Sequence, residues 1–187
     1  MKKLKSINGI PLKYIRSVAK IDPSSPSGLT WLYRKDVPNE WNSKHANKYA
    51  GSKATNKGGY QKWDIKITYN GKTKGFLASR VVFLLHNGYI PKKDKEVDHI
   101  DGNSLNNNPL NLRESNRFQN AYNSKISKRN TSGHKGVFWY KADSKWVVRI
   151  NKNGKSHFFG YYEKLEEAIK VAIAARKKLH GEFGRDE

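Results

Sequence analysis

Apolar and polar residues alternate along one stretch near the middle of the chain. Trp63, Ile65, Ile67 and Tyr69 occupy every second position, the period of a strand with one buried face. Asn70-Gly71 follows directly. That dipeptide is the strongest short signal for a two-residue hairpin, so Lys72 to Phe76 is the expected return strand. The period then changes: Val81, Val82, Leu84 and Leu85 predict a short buried helix over Ala78 to His86, ended by Gly88 and Pro91. A second block lies toward the C-terminus, with strands expected over Lys135 to Tyr140, Lys145 to Asn151 and Lys155 to Tyr161, the last two joined at Asn153-Gly154. Leu165, Ala168, Ile169, Ala172 and Leu179 recur at helical spacing, and Gly181 is a stop. Trp146, Val148 and Ile150 face that helix, which leaves Phe138, Tyr140, Arg149, Asn151 and Phe158 on the open side of the sheet.

The remaining segments carry weaker patterns. Pro11 to Ala19 predicts a short basic helix, Asp22 to Gly28 (DPSSPSG) a loop, and Leu29 to Tyr33 a strand. Residues 39 to 59 are polar and rich in Gly and Lys, and are expected to be extended and to order only on a binding partner. Ser124 to Gly133 has no apolar period and reads as a linker. Four parts follow: a basic N-terminal extension (1–58), a first folded domain (59–124), a basic linker (125–133) and a C-terminal domain (134–187). The class is α+β. About nine linker residues span at most about 30 Å, so whatever the first domain does is expected at a short, fixed offset from the second.

Charge narrows the function more than size does. Over 187 residues there are 37 Lys and Arg against 16 Asp and Glu, a formal net charge of +21. Such a field attracts a polyanion. No apolar run approaches a membrane-spanning length, and Lys2, Lys3 and Lys5 precede no apolar signal core. Zero cysteines rule out disulfides and thiolate zinc sites, so no structural zinc is expected. The picture is an intracellular, soluble protein that engages nucleic acid. In the linker, Lys125, Lys128 and Arg129 are candidates for the phosphate backbone.

Chemistry concentrates between Glu96 and Asn123, EVDHIDGNSLNNNPLNLRESNRFQNAYN. This stretch holds a carboxylate, an imidazole and several amide oxygens in a strand–loop–helix unit. Hard divalent cations take oxygen ligands, and a histidine near neutral pKa suits removal of a proton from water. Adjacent residues of a regular strand point to opposite faces, so Asp98 and His99 share a site only where the strand ends or bends, as the following Asp101-Gly102 turn allows.

Val97-Asp98-His99-Ile100-Asp101-Gly102-Asn103, Asn106-Asn107, Asn111-Leu112-Arg113 and Gln119-Asn120 resemble the HNH (His-Me finger) endonucleases, especially phage and intron-borne homing enzymes. The resemblance implies a ββα-metal nuclease unit around one Mg2+ or Mn2+ ion. It makes His99 the general base, Asp98 and Asn120 metal ligands, and Asn111 the residue that holds the motif loop and orients His99. The third motif position, often His in relatives, is Asn here. Ser79-Arg80 stands where relatives commonly carry His-Arg. Arg80 is thus a candidate anchor for a phosphate or carboxylate, while His86 lies outside the motif. The Asp-Pro…Ser-Gly-Leu-Thr-Trp run also looks similar to leader segments of phage HNH proteins, with no role attached to any residue. One such unit per chain implies a monomer.

Lys135-Gly136-Val137…Lys145-Trp146…Ile150…Asn153-Gly154…Phe159-Gly160…Glu166-Glu167-Ala168…Leu179-His180-Gly181 resembles the plant AP-two/ERF DNA-binding domain, a three-stranded antiparallel sheet packed on one helix. It implies double-stranded DNA as partner, with contacts from Lys135, Phe138, Tyr140, Arg149, Asn151, Ser156 and Phe158. Relatives carry more arginine there. A non-catalytic binder of duplex DNA and an RNA-binding protein are the competing expectations.

Overall fold

Both Asn-Gly turns close hairpins. Asn70 and Gly71 (φ 49° and 70°) and Asn153 and Gly154 (φ 50° and 80°) take the paired left-handed conformation of a type I′ turn. A computed structural model describes residues 6–186 of the chain. They fall into two compact units that divide between Glu114 and Ser115.

The first unit begins with a two-stranded ribbon, β1 (Ser6–Ile7) and β2 (Ile10–Pro11), and helix α1 (Leu12–Val18). Strands β3 (Ala19–Ile21) and β4 (Leu29–Trp31) pair across the Asp22–Gly28 loop. Helix α2 (Asn39–His45) and strand β5 (Ser52–Thr55) come next, then the hairpin β6 (Gln61–Tyr69) and β7 (Lys72–Leu77). Helix α3 (Ala78–Asn87) and strand β8 (Lys95–His99) lead to the motif loop, and β9 (Leu112–Asn116) pairs with β8.

Ile65, Ile67 and Phe76 from the hairpin and Val81, Val82 and Leu84 from α3 form one core, as the alternation predicts. That core also takes in Ile7, Ile10, Leu12, Ile15, Val18 and Leu29, so residues from the expected N-terminal extension pack with the hairpin. Residues 39–59 differ from expectation as well. Asn42 locks α2 to the preceding turn, accepting from the Arg34 backbone N–H (2.9 Å) and donating to its carbonyl (2.7 Å). Strand β5 adds to the hairpin edge, Lys53 opposite Trp63. A polar, apolar-poor segment becomes ordered because β6 offers it a ladder of backbone partners. Tyr14 ties α1 to the hairpin by donating to the Thr68 carbonyl (2.6 Å), and burial followed by the Asp36 hydrogen bond pushes its hydroxyl up to about 12.

Ile67 is fully buried at the centre of this core. Ile67→Ala is expected to lower unfolding free energy by about 2–5 kcal/mol, read as a shifted urea midpoint with the slope unchanged.

The second unit opens with helix α4 (Arg117–Tyr122) and continues through an irregular segment into β10 (Val137–Tyr140), β11 (Lys145–Lys152), β12 (Lys155–Tyr162) and helix α5 (Leu165–His180). The three strands form an antiparallel sheet in sequence order. Val137, Val148 and Ile150 pack on Ala168, Ala172 and Ala175, with Leu165, Val171 and Leu179 at the edges. The helix face thus turns through Ala175 and Val171 rather than Ile169. The expected linker is folded here by its own bonds: Asn130 donates to the His134 carbonyl (3.0 Å) and Ser132 Oγ to the Val137 carbonyl (2.8 Å). Among the described residues no helix is long and apolar enough to cross a membrane.

Candidate active site

Strand β8 ends at the chemistry. The Gly102 N–H donates to the His99 carbonyl (2.8 Å), turning the chain immediately after the imidazole. Asp98 is 5% exposed, and its Oδ2 accepts from Arg113 Nε at 3.0 Å. His99 is half-buried. Facing neighbours across β8 and β9 thus bring Asp98 and Arg113 of the Asn111-Leu112-Arg113 run into one ion pair. Burying a charge without a partner is costly, and Arg113 supplies a partner for the carboxylate at that depth.

Asn111 clamps the loop between the two strands. Its side-chain oxygen accepts from the Asp101 N–H (3.0 Å), and its Nδ2 donates to Asp101 Oδ1 and to the Asn106 carbonyl, both at 2.9 Å. Its own carbonyl accepts from the Ile100 N–H (2.9 Å). Asp101 sits at the middle of this web. Burial raises its carboxyl, but the bonds from the Asn103 N–H, Asn106 and Asn111 together outweigh that and leave it below the usual carboxylate range. A second amide reaches the imidazole: Asn107 Oδ1 lies 2.9 Å from His99 Nε2. Asn111 holds the loop on both sides of Asp101, and Asn107 adds a direct contact to the imidazole. Asn107 stood in the quoted motif, but nothing in a run of asparagines tells which one is buried.

Arg80 is half-buried on α3 and His86 is exposed near the end of the same helix. Asn120 is half-buried on α4, in the second unit. A reciprocal cap starts that helix: Asn116 Oδ1 accepts from the Gln119 N–H and Gln119 Oε1 from the Asn116 N–H, both at 2.8 Å. Six residues without such a cap make a poor helix, so Asn116 and Gln119 secure the turn that carries Asn120.

In the second unit Phe138, Tyr140, Arg149, Asn151, Ser156 and Phe158 are all exposed on the sheet. Arg149 lies over the Phe158 ring, 5.9 Å from its centroid. Tyr161, missed by alternation, joins them. Val148 pairs with Gly160 but Arg149 pairs with Phe158, so Phe159 is an extra residue in β12. That bulge reverses the parity of the strand. Phe158 and Tyr161 then share the open face in edge-on contact (5.2 Å between centroids), Tyr140 sits 5.9 Å beyond Tyr161, and Phe159 and Tyr162 pack on the core. Lys125, Lys128 and Arg129 are exposed. Lys135 is half-buried and donates to the Tyr122 carbonyl (3.2 Å); burial and the nearby Arg176 and Arg185 bring it down to about 8. Tyr122 also stacks on His180 at 3.8 Å. Lys135 therefore spends its ammonium on holding α4 within this unit.

A strand, a clamped loop and a second strand presenting Asp98 and His99 coincide with a family match. Residues 76–122 match the HNH endonuclease family and carry its domain. Over 99 residues the chain is 41% identical to Protein 3.8 of Escherichia phage T7, a span of 53% of this chain and 80% of that protein. The chain belongs to the family of that phage protein. It is also 35% identical over 100 residues to the uncharacterized HNH endonuclease L560 of Acanthamoeba polyphaga mimivirus, covering 54% of this chain and half of the relative. No solved structure matches it.

Proposed function

We propose that this protein is a divalent-metal-dependent endonuclease of homing type that hydrolyses a phosphodiester bond of double-stranded DNA at a site chosen by its C-terminal sheet. The observation that carries the reading is the buried Asp98 beside the anchored imidazole of His99, inside the segment matching the HNH family. In this reading β8, β9 and α4 are the ββα-metal unit.

The donor set suits a hard cation. Asp98 offers a carboxylate and Asn120 an amide oxygen, and the chain holds no cysteine. Asp98 and Asn120 would hold one Mg2+ or Mn2+ ion, which when bound neutralises charge on the scissile phosphate and the leaving oxygen. His99 takes a proton from water as its oxygen attacks phosphorus. The bond from phosphorus to the 3′ oxygen breaks, that oxygen is protonated, and 5′-phosphate and 3′-hydroxyl ends result. Arg113 pairs with Asp98 and Asn111 keeps the loop closed around the reacting centre.

For the DNA, Arg149 and Asn151 present groups that read base edges in the major groove, where two strands enter. Phe138, Tyr140, Phe158 and Tyr161 supply apolar contact beside them, as in the AP-two/ERF-type arrangement. Lys125, Lys128 and Arg129 meet the phosphate backbone, which supplies affinity without sequence information. The protein acts as a monomer with one cutting centre. Purified protein is expected to nick supercoiled plasmid with added Mg2+ or Mn2+, and to stop when the ion is chelated. Intact plasmid under both conditions would leave a duplex DNA binder in its place.

A further inference from the structure

The loop between β3 and β4 has no part in the chemistry described so far, yet it is among the most tightly held pieces of the first unit. Ser24 donates to Asp22 Oδ1 through its N–H (3.0 Å) and hydroxyl (2.6 Å), and Thr30 Oγ1 donates to Asp22 Oδ2 (2.7 Å). Ser25 and Ser27 are buried. Ser25 Oγ donates to the Leu29 carbonyl (2.6 Å) and Ser27 Oγ to that of Ala50. A surface turn does not require such bracing, because water satisfies its polar groups. The braced loop also meets the motif loop: the Ser27 carbonyl accepts from Asn107 Nδ2 at 2.9 Å.

That contact has a consequence 80 residues along the chain. A carbonyl only accepts, so the NH2 group of Asn107 must face Ser27. The amide oxygen of Asn107 then faces His99, and the imidazole nitrogen 2.9 Å away, Nε2, must be the one carrying hydrogen. The basic lone pair of the neutral ring is thereby placed on Nδ1. Asn107 is 4% exposed and held on its other side. A Cβ on Gly28 would sit 3.0 Å from the Asn107 carbonyl, 3.1 Å from its Cβ and 3.2 Å from Val82 Cγ2, at a φ of +79° that suits glycine alone. The backbone of the loop thus sets where the amide stands.

We infer that Ser27, Gly28 and Asn107 form a positioning relay that fixes the ring orientation and tautomer of His99. The inference rests on His99 being the base of the proposed reaction, but the tautomer can be read without any activity. In the 15N-labelled full chain at pH 8, the long-range ring correlations of His99 are expected to show hydrogen on Nε2. Asn107→Asp keeps an acceptor toward Nε2 and is expected to keep that tautomer; Asn107→Leu removes the acceptor and is expected to give a mixture. In plasmid nicking, Asn107→Leu and Gly28→Ala are expected to lower kcat by on the order of tenfold to a hundredfold, the range for a misplaced catalytic group, with KM for DNA little changed and Asn107→Asp recovering part of the loss. Thermal unfolding checks that each variant is folded, and Gly28→Ala carries the kinetic test if Asn107→Leu is not. An Nδ1–H tautomer in the wild-type chain, or one unchanged in folded Asn107→Leu, overturns the relay. An inactive wild type that shows the expected tautomer shift counts against the nuclease reading alone.

Discussion

A His99→Ala protein is expected to bind its DNA target with near wild-type affinity and to cleave it about a hundred to ten thousand times more slowly, the usual span for a general base. The expectation follows from where the imidazole stands. It is half-buried at the end of β8, its Nε2 held by Asn107, and the backbone turns away through the Gly102–His99 bond directly after it. Removing the ring leaves Asp98, its Arg113 partner and the Asn111 clamp as they were, so the site's other groups persist while the proton acceptor is lost. The groups assigned to DNA lie in the other unit, which is why affinity is spared. Single-turnover cleavage of labelled duplex alongside an equilibrium binding titration separates the two effects. Wild-type cleavage by the variant would discard the assignment of His99, and loss of binding with cleavage would make it a structural residue.

The second expectation concerns salt. With a formal charge of +21 and exposed Lys125, Lys128 and Arg129 on the segment before the sheet, DNA binding is expected to be dominated by counterion release. If about six to ten phosphates are engaged, affinity falls by about a thousandfold to a hundred-thousandfold between 50 and 200 mM salt. A plot of log affinity against log salt gives the number of phosphates directly. Charge reversal at Lys125, Lys128 and Arg129 together is expected to flatten the slope by about three of them. A salt-independent affinity would remove nucleic acid as the partner, whatever the fate of the catalytic reading.

Local chemistry was legible from the chain alone. An Asn-Gly pair forces its own turn because both residues tolerate positive φ, so each hairpin and the strands flanking it could be placed without reference to anything distant. The faces of α3 and α5 followed from spacing, apart from the rotation that replaces Ile169 by Val171 and Ala175. The Asp98–His99 pair and its asparagines were identifiable as a group because residue type and interval were enough.

What the residues touch was decided in three dimensions. The chain by itself determined two sheet-and-helix blocks, a polyanion-seeking charge and a cluster of carboxylate, imidazole and amide groups. Tertiary structure decided that Asn107 meets His99, because that depends on a carbonyl at Ser27 from a loop remote in sequence. It made residues 39–55 a helix and an edge strand, since the Arg34 backbone holds Asn42 and the β6 backbone pairs with β5. It also brought Tyr161 to the open face, because one extra residue in β12 reverses which side every later side chain takes. Periodicity reports which residues are apolar and how they are spaced; pairing register and long-range hydrogen bonds exist only once the chain has closed on itself.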